Sequence, residues 1–74
     1  MYSIKLFETR VRIKTHNGFH SDIDPFDKIG LIIDFDKKSS IYTVEFEYQN
    51  KNGEKDTDIA FLKRTDFIII SLWR

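Results

Sequence analysis

The sequence predicts an all-β domain: a small five-stranded barrel, left partly open, with a long loop after its first strand. Three observations carry this expectation. Residues 41–48 alternate strictly, placing Tyr42, Val44, Phe46 and Tyr48 on one face and Ile41, Thr43, Glu45 and Glu47 on the other, the period of two that a half-buried strand requires. Turn-forming pairs and clusters (Asn17-Gly18, Asp24-Pro25, Asp36 to Ser40, Asn52-Gly53) cut the chain into segments of strand length. Nowhere does a helical period of 3.6 persist for ten residues.

Taken in order, residues 4–14 read as a first strand with a change of phase. Ile4 and Leu6 share one parity, whereas Phe7, Val11 and Ile13 share the other. A strand buries one parity only, so a bulge or bend near residues 7–9 is expected. Beyond it Val11 and Ile13 point inward and Arg10, Arg12 and Lys14 form an outward basic row. Residues 15–27 are a loop whose apolar members, Phe19, Ile23 and Phe26, anchor it over one mouth of the core.

The second strand covers residues 28–35. Leu31, Ile32 and Ile33 are consecutive, so both of its faces are partly covered, and Gly30 marks a bend or a close backbone approach. The chain reverses over residues 36–40, enters the alternating third strand, and turns again at Asn52-Gly53. The fourth strand follows at 56–61. Residues 62–66 are too few for a helix and suit one tight turn before the fifth strand, residues 67–72. Five short strands bury a core only by curling. The order of long loop, two tight hairpins, one-turn connector and last strand is that of an SH3-like barrel.

On the residues Val11-Arg12-Ile13, Gly30-x-Ile32, Tyr42-x-Val44-x-Phe46 and Ile59-Ala60-Phe61-Leu62 with Asp66, the chain resembles the SH3-like proteins of the photosystem I subunit IV type. It is similar also to the variable chain of ferredoxin–thioredoxin reductase and to short bacterial proteins with an SH3-like core. The resemblance spans residues 10–70 and rests on inward aromatics and turn glycines. It implies a non-catalytic barrel that docks on a larger protein.

At 74 residues the chain is one domain, near the size where a single core only just outweighs chain entropy. It has no cysteine, so packing must supply the stability, and 41% hydrophobic with 15% aromatic residues is an adequate supply. Lys5 and Glu8 interrupt the apolar residues near the start, so no secretory signal is expected. The run at residues 67–73 is far short of the roughly 20 residues that cross a bilayer. A cytoplasmic location is the expectation. Twelve basic and twelve acidic residues cancel, so no global field favours nucleic acid. The charges are nevertheless segregated. Residues 1–21 carry a net +3, residues 22–58 a net −5 and residues 59–74 a net +2.

Four constellations could carry function. The long loop holds His16, His20, Asp22, Asp24 and Asp27, but it lacks the glycine and terminal glutamate of a calcium loop, and no metal or other cofactor is expected. Carboxylates two apart on strands, Asp34/Asp36 and Glu45/Glu47, with His16 or His20 as a base, have no recognisable nucleophile or phosphate loop beside them, so no enzyme is expected. The basic residues Arg10, Arg12, Lys14, Lys63 and Arg64 could line a nucleic-acid-binding rim. Asp34, Asp36, Glu45, Glu47, Asp56 and Asp58, with Tyr42 and Tyr48 as anchors, could form an acidic docking face.

The fifth strand is apolar on both sides, with Ile68, Ile70 and Leu72 on one and Phe67, Ile69 and Trp73 on the other. It is either a covered central strand or a surface that meets a partner, including a homodimer through residues 67–73. The expectation is a protein-binding module, in its concrete form an immunity- or inhibitor-type protein that masks a basic site on a partner such as a toxin. The alternative is a nucleic-acid-binding barrel. No membrane association is expected.

Overall fold

Alternation and turn chemistry produce five strands in the expected places. The computed structural model of the chain describes residues 4–19 and 21–72, with the side chains of residues 71–72 left out. The strands are β1 (Thr9–Ile13), β2 (Ile29–Asp36), β3 (Ile41–Gln49), β4 (Lys55–Leu62) and β5 (Phe67–Leu72), and a single 3-10 turn, Arg64–Asp66, joins the last two. They make one antiparallel sheet in the order β4-β3-β2-β1-β5. The sheet curls around its inward face into a partly open barrel, with β4 and β5 as its two edges.

The core is what the parity of each strand predicts. Val11 and Ile13, Ile32, Val44 and Phe46, Ala60 and Leu62, and Phe67 are all buried, and Ile4, Ile23, Tyr42, Tyr48 and Ile69 pack against them. Gly30 explains how the sheet curls so tightly. It pairs with Val11 on one side and Phe46 on the other. A Cβ built there would lie 2.5 Å from Val44 Cγ1 and 3.0 Å from the Glu45 carbonyl oxygen. Two register shifts add curvature, one in β2 between Ile32 and Asp34 and one where β1 meets β5 between Arg10 and Val11. The first accounts for the consecutive Leu31, Ile32 and Ile33. Ile32 enters the core, Ile33 is the extra residue, and Asp34 returns to the outer face opposite Thr43.

Three expectations need correction. The expected bend near residues 7–9 is present, but residues 4–8 are not part of the first strand. The bend is a turn before β1, closed by Glu8 N–H to the Lys5 carbonyl at 3.3 Å and by the buried Thr9 hydroxyl, which donates to that carbonyl and accepts from the Lys5 amide. Phe7 takes a left-handed conformation (φ 65°) and stays 66% exposed, its amide bonded to the Ile32 carbonyl.

Leu62, assigned to the connector, is the last residue of β4 and is fully buried. β5 is an edge, not a covered central strand: Phe67 and Ile69 turn inward, while Ile68 and Ile70 are 51% and 45% exposed. Trp73, part of the expected dimer strand, lies outside the described residues. Among the described residues no helix is long and apolar enough to cross a membrane.

The opposite edge is covered. The long loop runs beside β4, with Phe61 N–H donating to the Gly18 carbonyl (3.1 Å) and Ser21 Oγ donating to the Ile59 carbonyl (2.7 Å). Gly18 is buried, and the packing leaves room only for glycine: a Cβ there would meet Ser21 Oγ and approach Ala60 Cβ to 3.0 Å. Of the loop's expected anchors only Ile23 reaches the core. Phe19 is 66% exposed, and Phe26 stacks on His16 with ring centres 4.2 Å apart.

Candidate functional site

Directly paired residues on antiparallel strands share a face, so the register sorts the eight candidate docking residues. Asp34 lies opposite Thr43, Asp36 opposite Ile41, and Glu45 opposite Leu31. Glu47, two residues beyond Glu45, lies opposite Thr57 on β4. These four acids occupy the outer face. Tyr42 pairs with Phe35 and Leu62, Tyr48 with Asp56, and Phe46 with Asp58. Tyr42, Tyr48, Asp56 and Asp58 therefore belong to the inner face. The eight residues do not make one surface, because the sheet passes between them.

The inner-face members have structural duties. Tyr42 packs between Phe35 and Phe67, at 4.5 Å and 5.3 Å between ring centres. Asp58 accepts from the amides of Asp22 (2.9 Å), Ile23 (3.3 Å) and Ile59 (2.8 Å), tying the long loop to β4. The Tyr48 hydroxyl reaches Asp56 Oδ2 at 3.4 Å. Partial burial, then the Asp56 and Asp58 carboxylates, push the Tyr48 phenol above its ordinary value of 10.0. The native state thus keeps its proton where the unfolded chain has begun to ionise, and stability falls as pH rises through about 10. In an NMR titration of the Tyr48 ring, Asp56→Asn should move the midpoint down towards the ordinary value; an unchanged midpoint would remove Asp56 from this account.

On the outer face Asp36 is partly committed, accepting from the Lys38 amide (3.1 Å) and the Ser39 hydroxyl (2.8 Å) to close the β2–β3 turn. Asp34 Oδ1 accepts from the Phe35 amide. Glu45 and Glu47 are exposed and, among the described residues, engage in no ion pair or side-chain hydrogen bond. Apolar residues lie between these acids: Leu31 and Ile59 flank Glu45 in its row, and Phe61 lies beyond Thr43 in the row of Asp34. At the turn end the face dips into an open groove of about 640 Å³ lined by Asp34, Asp36, Ile41, Phe61 and the exposed ring of Phe19. Carboxylates beside aromatic rings suit a cationic side chain with an apolar stem. The sequence signalled the acids through alternation. It did not signal the groove, because the β2 register shift and the path of the long loop both build it.

The basic residues divide as well. Arg10 and Arg12 lie on the outer face of β1, Arg12 within 3.8 Å of Asp27 in an exposed pair. Lys14 follows them, its amide bonded to the Asp66 carbonyl beside the 3-10 turn. Arg64 is exposed but folds over Phe67, its guanidinium 5.1 Å from that ring's centre and donating to the Phe67 carbonyl. Lys63 and Arg64 line a separate hollow with Phe35 and Tyr42. Arg10 and Arg12 therefore form a short stripe, and Arg64 is held away from it.

In the long loop, His16 Nδ1 lies 2.7 Å from Asp24 Oδ2. That hydrogen bond, then the Phe26 amide, hold the Asp24 carboxyl below its ordinary value. The sign is that of a depressed acid: its contribution to loop closure is present above the ordinary carboxylate range and fades as pH falls below it. Among the described residues no three metal-ligating side chains converge; His20 lies outside the described residues. Compared with known proteins, the chain matches no family model, no curated protein and no solved structure.

Proposed function

We propose that the chain is a non-enzymatic protein-binding module whose outer face docks a basic, partly apolar surface, as an inhibitor- or immunity-type protein does when it masks a partner's cationic site. One observation supports this most: Asp34, Asp36, Glu45 and Glu47 share a face on which half-buried Leu31, Ile41, Ile59 and Phe61 lie between the charges. Apolar contacts supply affinity, the carboxylates supply steering and discrimination, and the groove takes an arginine or lysine side chain. Asp56, Asp58, Tyr42 and Tyr48 act in this reading as supports for the sheet and loop.

The test uses a fluorescent peptide that alternates arginine with leucine. The wild-type chain should bind it. Glu45→Lys with Glu47→Lys should weaken binding at least tenfold, roughly 1.4 kcal/mol or more, without shifting the urea midpoint. Salt-sensitive binding to single- or double-stranded oligonucleotides, weakened instead by Arg10→Glu with Arg12→Glu, would overturn this reading in favour of a nucleic-acid-binding barrel.

A further inference from the structure

The outer face carries opposite charges in a fixed geometric relation. One row across the sheet reads Arg10, Leu31, Glu45, Ile59 on β1, β2, β3 and β4. One step along, Arg12 lies opposite Ile29. β1 and β3 are both antiparallel to β2, so they run parallel to each other, and Arg10 to Arg12 points the same way as Glu45 to Glu47. The basic stripe and the acidic stripe each lie one strand from β2, whose outer residues Ile29 and Leu31 are apolar and incompletely covered.

Within one molecule these charges do not meet. Two strand spacings, about 9.6 Å, separate Arg10 from Glu45, and Leu31 stands between them. Among the described residues Arg10, Glu45 and Glu47 have no ion-pair partner. Arg12 has, among the described residues, only the exposed 3.8 Å contact to Asp27, of a kind worth little in water.

Resting on the reading of this face as a docking surface, we infer that one of its occupants is a second copy of the chain, packed face to face about a two-fold axis parallel to β2. That rotation preserves position along the strand and exchanges left for right. It lays β1 of each copy over β3 of the other, so Arg10 faces the partner's Glu45 and Arg12 faces the partner's Glu47. Ile29 and Leu31 meet their own counterparts on the axis. The interface is isologous, as a closed dimer requires. The curl of each sheet makes its outer face convex, so the copies touch at β2 and diverge on either side. Long arginine and glutamate side chains span that widening gap. The contact is small and charge-dependent, which makes the dimer reversible. It covers Glu45 and Glu47, so a basic partner and the second copy compete for the same residues.

The test is a charge-exchange experiment by sedimentation equilibrium, from micromolar to near-millimolar concentration at low salt. Wild type should be in monomer–dimer equilibrium. Glu45→Lys/Glu47→Lys, with two basic stripes, and Arg10→Glu/Arg12→Glu, with two acidic stripes, should each be monomeric, at least tenfold weaker in self-association. An equimolar mixture of the two should dimerise again, since each stripe of one then faces an opposite stripe of the other. The arginine–leucine peptide should dissociate the wild-type dimer. A strict monomer, or a dimer indifferent to both variants such as one formed through the β5 edge, overturns the inference. The docking reading survives that outcome if Glu45→Lys/Glu47→Lys still abolishes peptide binding, and falls with it if peptide binding is also unchanged.

Discussion

Gly30→Val should strip the domain of a large part of its stability and shift its urea midpoint far below that of the wild type. A strand glycine ordinarily costs about 0.5–1 kcal/mol relative to alanine, so on propensity alone any substitution would help. Space decides otherwise. The added Cβ would sit 2.5 Å from Val44 Cγ1, 3.0 Å from the Glu45 carbonyl oxygen and 3.3 Å from Phe46 Cβ. Val44 and Phe46 are fully buried, and the Glu45 carbonyl belongs to the backbone of the paired strand. None of the three can withdraw without opening the β2–β3 pairing. Overpacking a core commonly costs about 1–3 kcal/mol. Here valine adds two more methyl groups against a strand that cannot shift, so a loss of about 4 kcal/mol or more is expected, and about 2–3 kcal/mol for Gly30→Ala. A domain of this length has roughly 4–11 kcal/mol in total. Urea denaturation followed by far-ultraviolet circular dichroism measures both variants. A Gly30→Val midpoint close to wild type would falsify the close-approach account of the curl.

The fold was legible because local and global requirements agree over most of the chain. Tyr42, Val44, Phe46 and Tyr48 alternate, and every one of them turns inward. The asparagine–glycine turn delivers a left-handed Gly53 (φ 78°) with Asn50 Oδ1 accepting from the amides of Asn52 and Glu54. Alternation fails where a register shift intervenes. Leu31, Ile32 and Ile33 carried a signal of irregularity but not its position, since whether Ile33 or a neighbour is the extra residue depends on pairing with β3. The candidate site was only half legible for the same reason. Spacing along one strand puts Glu45 and Glu47 together, but whether Asp56 or Thr57 stands beside Glu47 depends on the β3–β4 register. A one-residue difference there moves Asp56 and Asp58 through the sheet. The phase change near Phe7 signalled a bend but not that the strand starts only at Thr9, because the turn before it uses the left-handed region, a conformation that a bulky aromatic rarely adopts.

Asp58→Ala should release the long loop and expose an edge of the sheet. This carboxylate accepts from three backbone amides, two of them in the loop and one in β4. Hydrogen bonds to a charged acceptor contribute more than neutral ones. Water can replace some of them at this half-buried position, so the expected loss is about 2–3 kcal/mol, with Asp58→Asn intermediate because its one carbonyl oxygen can keep part of the set. The consequence extends beyond the loop. Gly18 and Ser21 occupy the Phe61 amide and the Ile59 carbonyl of β4, and an uncovered edge strand offers such groups to any other chain. Amide exchange separates the local effect from the global one: Phe61, Asp22 and Ile23 should lose far more protection than Val44 in β3. Concentration-dependent association should appear that is insensitive to the charges at Arg10 and Glu45, which distinguishes it from pairing through the outer face. If the Phe61 amide stays as protected as in wild type, the loop is held by its packing on Ala60 rather than by Asp58.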